Sequence, residues 1–285
     1  MFSLSPLRGA REKKEPRMTL ADQGHLAVGA ARLEYRMIGP RPDAAPTIVM
    51  LHEGLGSVST WGDFPQKLAE KTGAGVFVYS RAGYGKSSTI ALPRPLDYMQ
   101  REATDVLPQL LDAIGFKRGI LLGHSDGATI AAYNAGSVQD HRVRGLILIA
   151  PHFFMEDSNI EAIRKIVATY ETTDLRAKLA RHHADVDAAF RGWSGAWLDP
   201  GFAKFDTTDA LAYIRVPILV LQGAADPYGT LAQVRVLEEE CYCPVEAVVL
   251  DGVGHAPHRE DSAGTLSTIA DFIGRIFIEG VENAA

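Results

Sequence analysis

Along this chain the apolar positions alternate between two periods. Thr47-Ile48-Val49-Met50-Leu51, Gly75-Val76-Phe77-Val78-Tyr79, Ile120-Leu121-Leu122, Val143 to Ala150, Val216 to Leu221 and Val245 to Leu250 are short runs dominated by apolar and β-branched residues. That is the pattern of strands covered on both faces of a parallel sheet. Between these runs the period lengthens: Val106, Leu107, Leu110, Leu111 and Ile114 recur at spacings of helical type within 96–115, and Gly115 stops them. Segments 61–71 and 265–278 read as helices in the same way. Leu33, Tyr35 and Met37 alternate with polar neighbours, as a half-buried early strand would, and Gly39-Pro40 closes it. About six parallel strands separated by helices predict an α/β fold, a mostly parallel central sheet with helices on both faces.

One interval breaks the rhythm. Between Pro151 and about Arg215 the chain is far too long for a strand-to-helix connection, so 152–206 is expected to be a folded insertion. It reads as helices over 158–170, 174–184 and 186–197. It holds Trp193 and Trp197 together with Phe153, Phe154, Phe190, Phe202 and Phe205, material for an apolar lid above the strand ends. For most of these rings the plainer expectation is packing of the insertion onto a core domain of 23–151 and 207–285. Residues 1–22 carry Arg8, Arg11, Lys13, Lys14 and Arg17 with Pro6 and Pro16, and no apolar run follows. They read as a disordered tail rather than a secretory signal, with Met18 an alternative start.

Chemistry concentrates at strand ends. Gly123-His124-Ser125-Asp126-Gly127 lies between Ile120-Leu121-Leu122 and the small-residue run Ala128 to Ala132. A Gly-x-Ser-x-Gly between strand and helix is a nucleophile elbow, a turn sharp enough to strain Ser125 and push its hydroxyl out at the mouth of the sheet. A serine hydroxyl needs a base, and the base needs an orienting acid. Gly223-Ala224-Ala225-Asp226-Pro227 follows the run ending at Leu221, and Gly252-Val253-Gly254-His255-Ala256-Pro257-His258 follows the run ending at Leu250. Ser125, Asp226 and His255 thus come in the chain order expected of this arrangement.

With these motifs the chain resembles the α/β-hydrolase family, from about Gly24 to Ile278. The resemblance implies a helical cap between the sixth and seventh strands. It also implies an oxyanion hole formed by the backbone N–H groups of Gly54, in His52-Glu53-Gly54-Leu55-Gly56, and of Asp126. Gly83-Tyr84-Gly85-Lys86-Ser87 matches the family's G-x-G-x-S turn. Three departures stand out: Glu53 replaces a usual Gly, Ser80 and Ala82 replace a usual Asp and Arg so that Arg81 must find another partner, and Ala128 replaces a frequent Gly. Asp157 lies near the family's variant position for the acid, after the sixth strand. The implied reaction is hydrolysis of a small carboxylic ester, thioester or lactone through an acyl-enzyme. C–C bond hydrolysis, lyase and perhydrolase chemistry use the same triad, and a poorly turning-over ligand receptor is the reading from another class. Dehalogenases and epoxide hydrolases of this fold use an Asp nucleophile, against which Ser125 counts.

Pocket candidates are Glu53, Leu55, Phe153, Phe154, Trp193, Trp197 and His258, the last lining the mouth or simply exposed. For Asp126 the plain role is a carboxylate favoured by the helix dipole, and the functional one is contact with substrate or His258. His182-His183-x-Asp185 carries metal-ligand types, but adjacent histidines face different directions on a helix, so no metal and no cofactor are expected. A net charge of -6 without charge runs argues against nucleic acid, and no apolar run approaches the length of a membrane span. Cys241 and Cys243 read as reduced thiols. The expectation is a cytoplasmic enzyme, monomer or homodimer, acting on a small molecule.

Overall fold

A computed structural model describes residues 20–282. Eight strands form one sheet: β1 (Gln23–Val28), β2 (Ala31–Ile38), β3 (Thr47–Leu51), β4 (Gly75–Tyr79), β5 (Gly119–His124), β6 (Val143–Ile149), β7 (Ile218–Gly223) and β8 (Val245–Leu250). Their order is β1-β2-β4-β3-β5-β6-β7-β8. Strands β3 to β8 run parallel, and β1 and β2 add an antiparallel hairpin at one edge. β1 has no counterpart in the expected elements, because its Gln-Gly-His start hides the alternation that buries Leu26 and Val28.

The fully apolar runs sit where the pattern predicts. β3, β4, β5 and β7 are buried along their whole length. Successive side chains of a strand point to opposite faces, so Ile120 and Leu122 join one apolar layer with Trp61, Phe64, Ile269 and Phe272, while Leu121 joins the other. β8 is different: as the last strand of the sheet it is only partly covered, and Val249 is exposed. The helix Ala232–Glu240 continues the strand–helix rhythm between β7 and β8, and the last helix runs further than the pattern predicts, Ser262–Glu282.

Between β6 and β7 stand three helices, Asp157–Thr172, Leu175–Leu179 and Val186–Trp197, followed by the 3-10 turns Pro200–Lys204 and Thr208–Tyr213. The tail expected over 1–22 lies, up to residue 19, outside the described residues. Leu20 is already buried, and the Asp22 carbonyl accepts from the Met37 N–H at 2.7 Å. No helix among the described residues is long and apolar enough to cross a membrane.

Candidate active site

β5 ends at His124 and the helix Asp126–Ser137 starts at the next residue but one, so Ser125 must turn the chain alone. It does so at φ 53, ψ -120, a region that costs a non-glycine residue roughly 1–3 kcal/mol. Its N–H donates to the Ile149 carbonyl at 2.8 Å, which anchors the turn to β6. The flanking glycines permit it. A Cβ on Gly123 would lie 2.2 Å from the Gly127 carbonyl oxygen, and one on Gly127 would lie 2.1 Å from that of Leu51.

Asp226 and His255 arrive from the loops after β7 and β8. His255 Nδ1–H donates to Asp226 Oδ2 at 2.7 Å. The same carboxylate accepts from Gln222 Nε2 at 2.9 Å and from the Tyr228 N–H at 2.8 Å. Burial would raise this carboxyl's pKa, but the hydrogen bond and charge of His255 outweigh it and hold the group below the usual carboxylate value. With Nδ1 committed to Asp226, Nε2 is the nitrogen of His255 free to take a proton. The His255 carbonyl accepts from His124 Nε2 at 2.7 Å, so the residue before Ser125 positions the loop that carries the imidazole. Ser125 and His255 line one cavity of about 110 Å³. Their side chains are not hydrogen-bonded to each other, a looseness common before substrate binds.

The loop after β3 forms another wall, through Glu53, Gly54 and Leu55. Gly54 is required by contact: a Cβ there would lie 2.1 Å from Trp193 Nε1. Arg81, wholly buried, finds its partners here. Its guanidinium donates to the carbonyls of His52 and, at 3.1 Å, Glu53, and its backbone N–H donates to His52 Nε2 at 3.0 Å. The Glu53 carboxylate turns to Arg259 at 3.0 Å and lies 3.5 Å from His124 Nδ1, in space that the absent side chain of Gly56 leaves open. Burial alone would raise its pKa; His124, then Arg259, hold it well below the usual value.

Asp126 opens the Asp126–Ser137 helix, where the dipole favours its charge, and lines the cavity, but its carboxylate also has partners that the motif does not announce. It is buried, its Oδ2 accepts from the Tyr98 hydroxyl, and that hydroxyl accepts from Trp197 Nε1 at 3.0 Å. Arg81 lies 3.9 Å from the same oxygen. Burial raises its pKa, and Arg81 and Tyr98 offset only part of that. A chain of polar contacts therefore runs from the Val186–Trp197 helix to the residue after Ser125. Tyr98 gave no signal in the sequence, where it falls inside an ordinary amphipathic helix.

Leu55, Trp193 and Trp197 line the cavity, as do Glu53 and Asp126; Phe153, Phe154 and His258 do not. Phe153 is fully buried, its N–H donating to Gln233 Oε1 at 2.7 Å, and Phe154 bridges to Asp206. His258 is turned into the core by the short helix Pro257–Glu260. There it packs against Trp61 (4.9 Å), Phe64 (5.7 Å) and His124 (4.7 Å), with no hydrogen bond on either nitrogen. Burial holds its pKa well below the usual histidine value. Sequence reasoning missed His152, Asn159, Ile163 and Tyr228, which complete the cavity. Position just beyond β6 and β7 could have flagged His152 and Tyr228, since the carboxyl ends of parallel strands are where such sheets bind ligands.

His182 and His183 both make contacts. His183 Nε2–H donates to the Leu55 carbonyl at 3.0 Å, while its Nδ1 accepts from the Gly85 N–H at 3.0 Å; His182 Nδ1 meets Ser59 Oγ at 2.8 Å. Among the described residues no group of three or more His, Cys, Asp or Glu side chains is placed to hold a metal. Asp157 opens the helix Asp157–Thr172, and Cys241 and Cys243 are free thiols.

The profile of the alpha/beta hydrolase family matches residues 48–267. A proline iminopeptidase of Lactobacillus delbrueckii subsp. bulgaricus is 29% identical over 124 residues, 44% of this chain but only 42% of that protein. The 3-oxoadipate enol-lactonase 1 of Acinetobacter baylyi is 26% identical over 223 residues, 71% of this chain and 79% of the relative. Among solved structures, the enol-lactonase from Burkholderia xenovorans superposes with a TM-score of 0.69 at 21% identity, covering 88% of this chain and all of that one.

Proposed function

Because the chain belongs to the alpha/beta hydrolase family, we propose that it is a serine hydrolase that cleaves a small carboxylic ester, or a thioester or lactone, through Ser125, His255 and Asp226. The observation that carries this reading is the 2.7 Å bond from His255 to Asp226 at the cavity onto which the elbow residue Ser125 opens. His255 Nε2 takes the Ser125 proton as Oγ attacks the acyl carbon, and Asp226 fixes the tautomer and steadies the imidazolium. The oxyanion is met by the N–H groups of Gly54 and Asp126, the latter at the first turn of the Asp126–Ser137 helix, where the backbone dipole favours negative charge. Protonated His255 then delivers its proton to the leaving group, and water, deprotonated by the same imidazole, cleaves the acyl-enzyme. The enol-lactonase relative favours an acyl–oxygen bond as the one broken.

The test is labelling with a fluorophosphonate and turnover of p-nitrophenyl acetate and butyrate, with Ser125→Ala as blank. Wild-type protein is expected to label at Ser125 and turn over. His255→Ala should lose at least about 10²-fold in turnover, whereas His258→Phe, altering a core residue, should not. Wild-type protein that neither labels nor turns over would refute the reading.

A further inference from the structure

His152 lines the cavity yet has no part in the chemistry above. It follows β6 through Ala150-Pro151, is 2% exposed, and is fixed through its backbone: its N–H donates to Thr129 Oγ1 at 3.2 Å, and its carbonyl accepts from the same hydroxyl at 2.6 Å. Its ring is inclined 29° to that of His255, with centroids 5.6 Å apart, and lies edge-on to Trp197 at 5.5 Å. The Cε1–Nδ1 edge is backed by Gly229, where a Cβ would come within 2.9 Å of Cε1.

The hydrogen-bond pattern assigns the proton. Asn159 Oδ1 accepts from the Glu156 N–H at 2.6 Å, so its Nδ2 is the amine; that amine donates to the Tyr228 carbonyl and reaches His152 Nδ1 at 3.5 Å. An amide NH2 only donates, so Nδ1 presents its lone pair and Nε2 carries the hydrogen. Burial, then the neighbouring His255, pushes the pKa of His152 down to about 3, so the ring stays a neutral donor. Nε2–H makes no hydrogen bond to any described residue. The charged side chains at the wall, Glu53 and Asp126, already face Arg259 and Arg81, and no Lys or Arg lines the cavity among the described residues. An anionic substrate would lose water there without gaining a cation.

We propose that His152 is a specificity-determining residue: its Nε2–H donates a hydrogen bond to an acceptor oxygen, other than the scissile carbonyl, of a small uncharged ester lying against Trp193 and Trp197. The proposal rests on the serine-hydrolase reading.

Two isosteric pairs test it, each exchanging an ether oxygen for a methylene: p-nitrophenyl methoxyacetate against p-nitrophenyl butyrate on the acyl side, and 2-methoxyethyl acetate against butyl acetate on the alcohol side. The readout is kcat/KM for wild type, the donor-free variants His152→Phe and His152→Leu, and the donor-retaining His152→Gln. In at least one pair, losing the donor should cost the ether substrate about tenfold more than its isostere, with partial rescue in His152→Gln. Wild-type kcat/KM, normalised to hydroxide hydrolysis of each ester, should favour the same ether without recourse to any variant. The monoester p-nitrophenyl hydrogen succinate should be a poorer substrate than the butyrate by about tenfold or more. Equal losses within about twofold in both pairs, or a preferred succinate, would overturn the proposal. Fluorophosphonate labelling of the same preparations separates this outcome from failure of the serine chemistry itself, which would show as unlabelled wild type.

Discussion

Replacing Gly54 by alanine tests the proposed oxyanion wall most directly. The added Cβ would sit 2.1 Å from Trp193 Nε1, 2.4 Å from Cδ1 and 2.9 Å from Cε2. Carbon contacts relax at about 3.5 Å or more, so loop and indole must part by about 1.4 Å. Neither side yields readily. Trp193 is 8% exposed, and the loop is tied down by Arg81 through the carbonyls of His52 and Glu53 and by His183 through that of Leu55. A shift of about 1 Å in a reacting geometry costs about 10²-fold, the lower end of the range for losing one oxyanion donor. Gly54→Ala should therefore lower kcat/KM for p-nitrophenyl butyrate by about 10²-fold, or about 2.7 kcal/mol, with circular dichroism unchanged. Removing the obstacle should restore part of the loss. In a Trp193→Ala background the same substitution should cost at least about 1 kcal/mol less, the coupling expected of residues in contact. A Gly54→Ala enzyme within about threefold of wild type, or an undiminished loss in that background, would refute the reasoning.

Arg81→Met should destabilise the fold by about 3–5 kcal/mol in urea titration, because it leaves Asp126 buried without its cation; adding Asp126→Asn should recover part of that. Acid sensitivity should follow from His52, His152, His183 and His258, all held below their ordinary pKa, chiefly by burial. Below about pH 6.5 the unfolded chain binds protons that the folded one refuses, so stability falls with pH by up to about 1.4 kcal/mol per unit for each histidine. His258→Phe should flatten that slope between pH 6 and 5 by about one histidine's share, and an unchanged slope would show that His258 is not held neutral. Trp193→Ala should raise KM for aromatic esters more than for acetates, and equal changes would return that ring to packing.

The sheet and the three strand-end residues were legible because both are written locally. Buried parallel strands are apolar on both faces, and an elbow needs glycines at fixed offsets from Ser125. What escaped was set by tertiary approach. Nothing near Tyr98 announces that its hydroxyl meets Asp126, and nothing near His258 announces that a three-residue offset from His255 turns it away from the cavity and into an aromatic core. His152 escaped for a related reason: a histidine after Pro151 reads as a loop residue until the Asp157–Thr172 helix brings Asn159 against it. The departures that looked like defects, Glu53 and the unpartnered Arg81, are resolved by one another's neighbourhood, since Arg81 grips the backbone of the loop whose Glu53 side chain has turned to Arg259.

The tether from Trp197 through Tyr98 to Asp126, together with the clasp of His183 on Leu55 and Gly85, bears on how this enzyme could diversify. Lids are where laboratory evolution usually goes to change substrate range, on the premise that they vary without touching the chemistry. Here two anchor points of the insertion are tied to residues beside Gly54 and Ser125, so under the proposed serine chemistry libraries randomised at 183 or 197 should be dominated by dead clones. Ile163 faces the same cavity without that wiring, so productive variation should concentrate there.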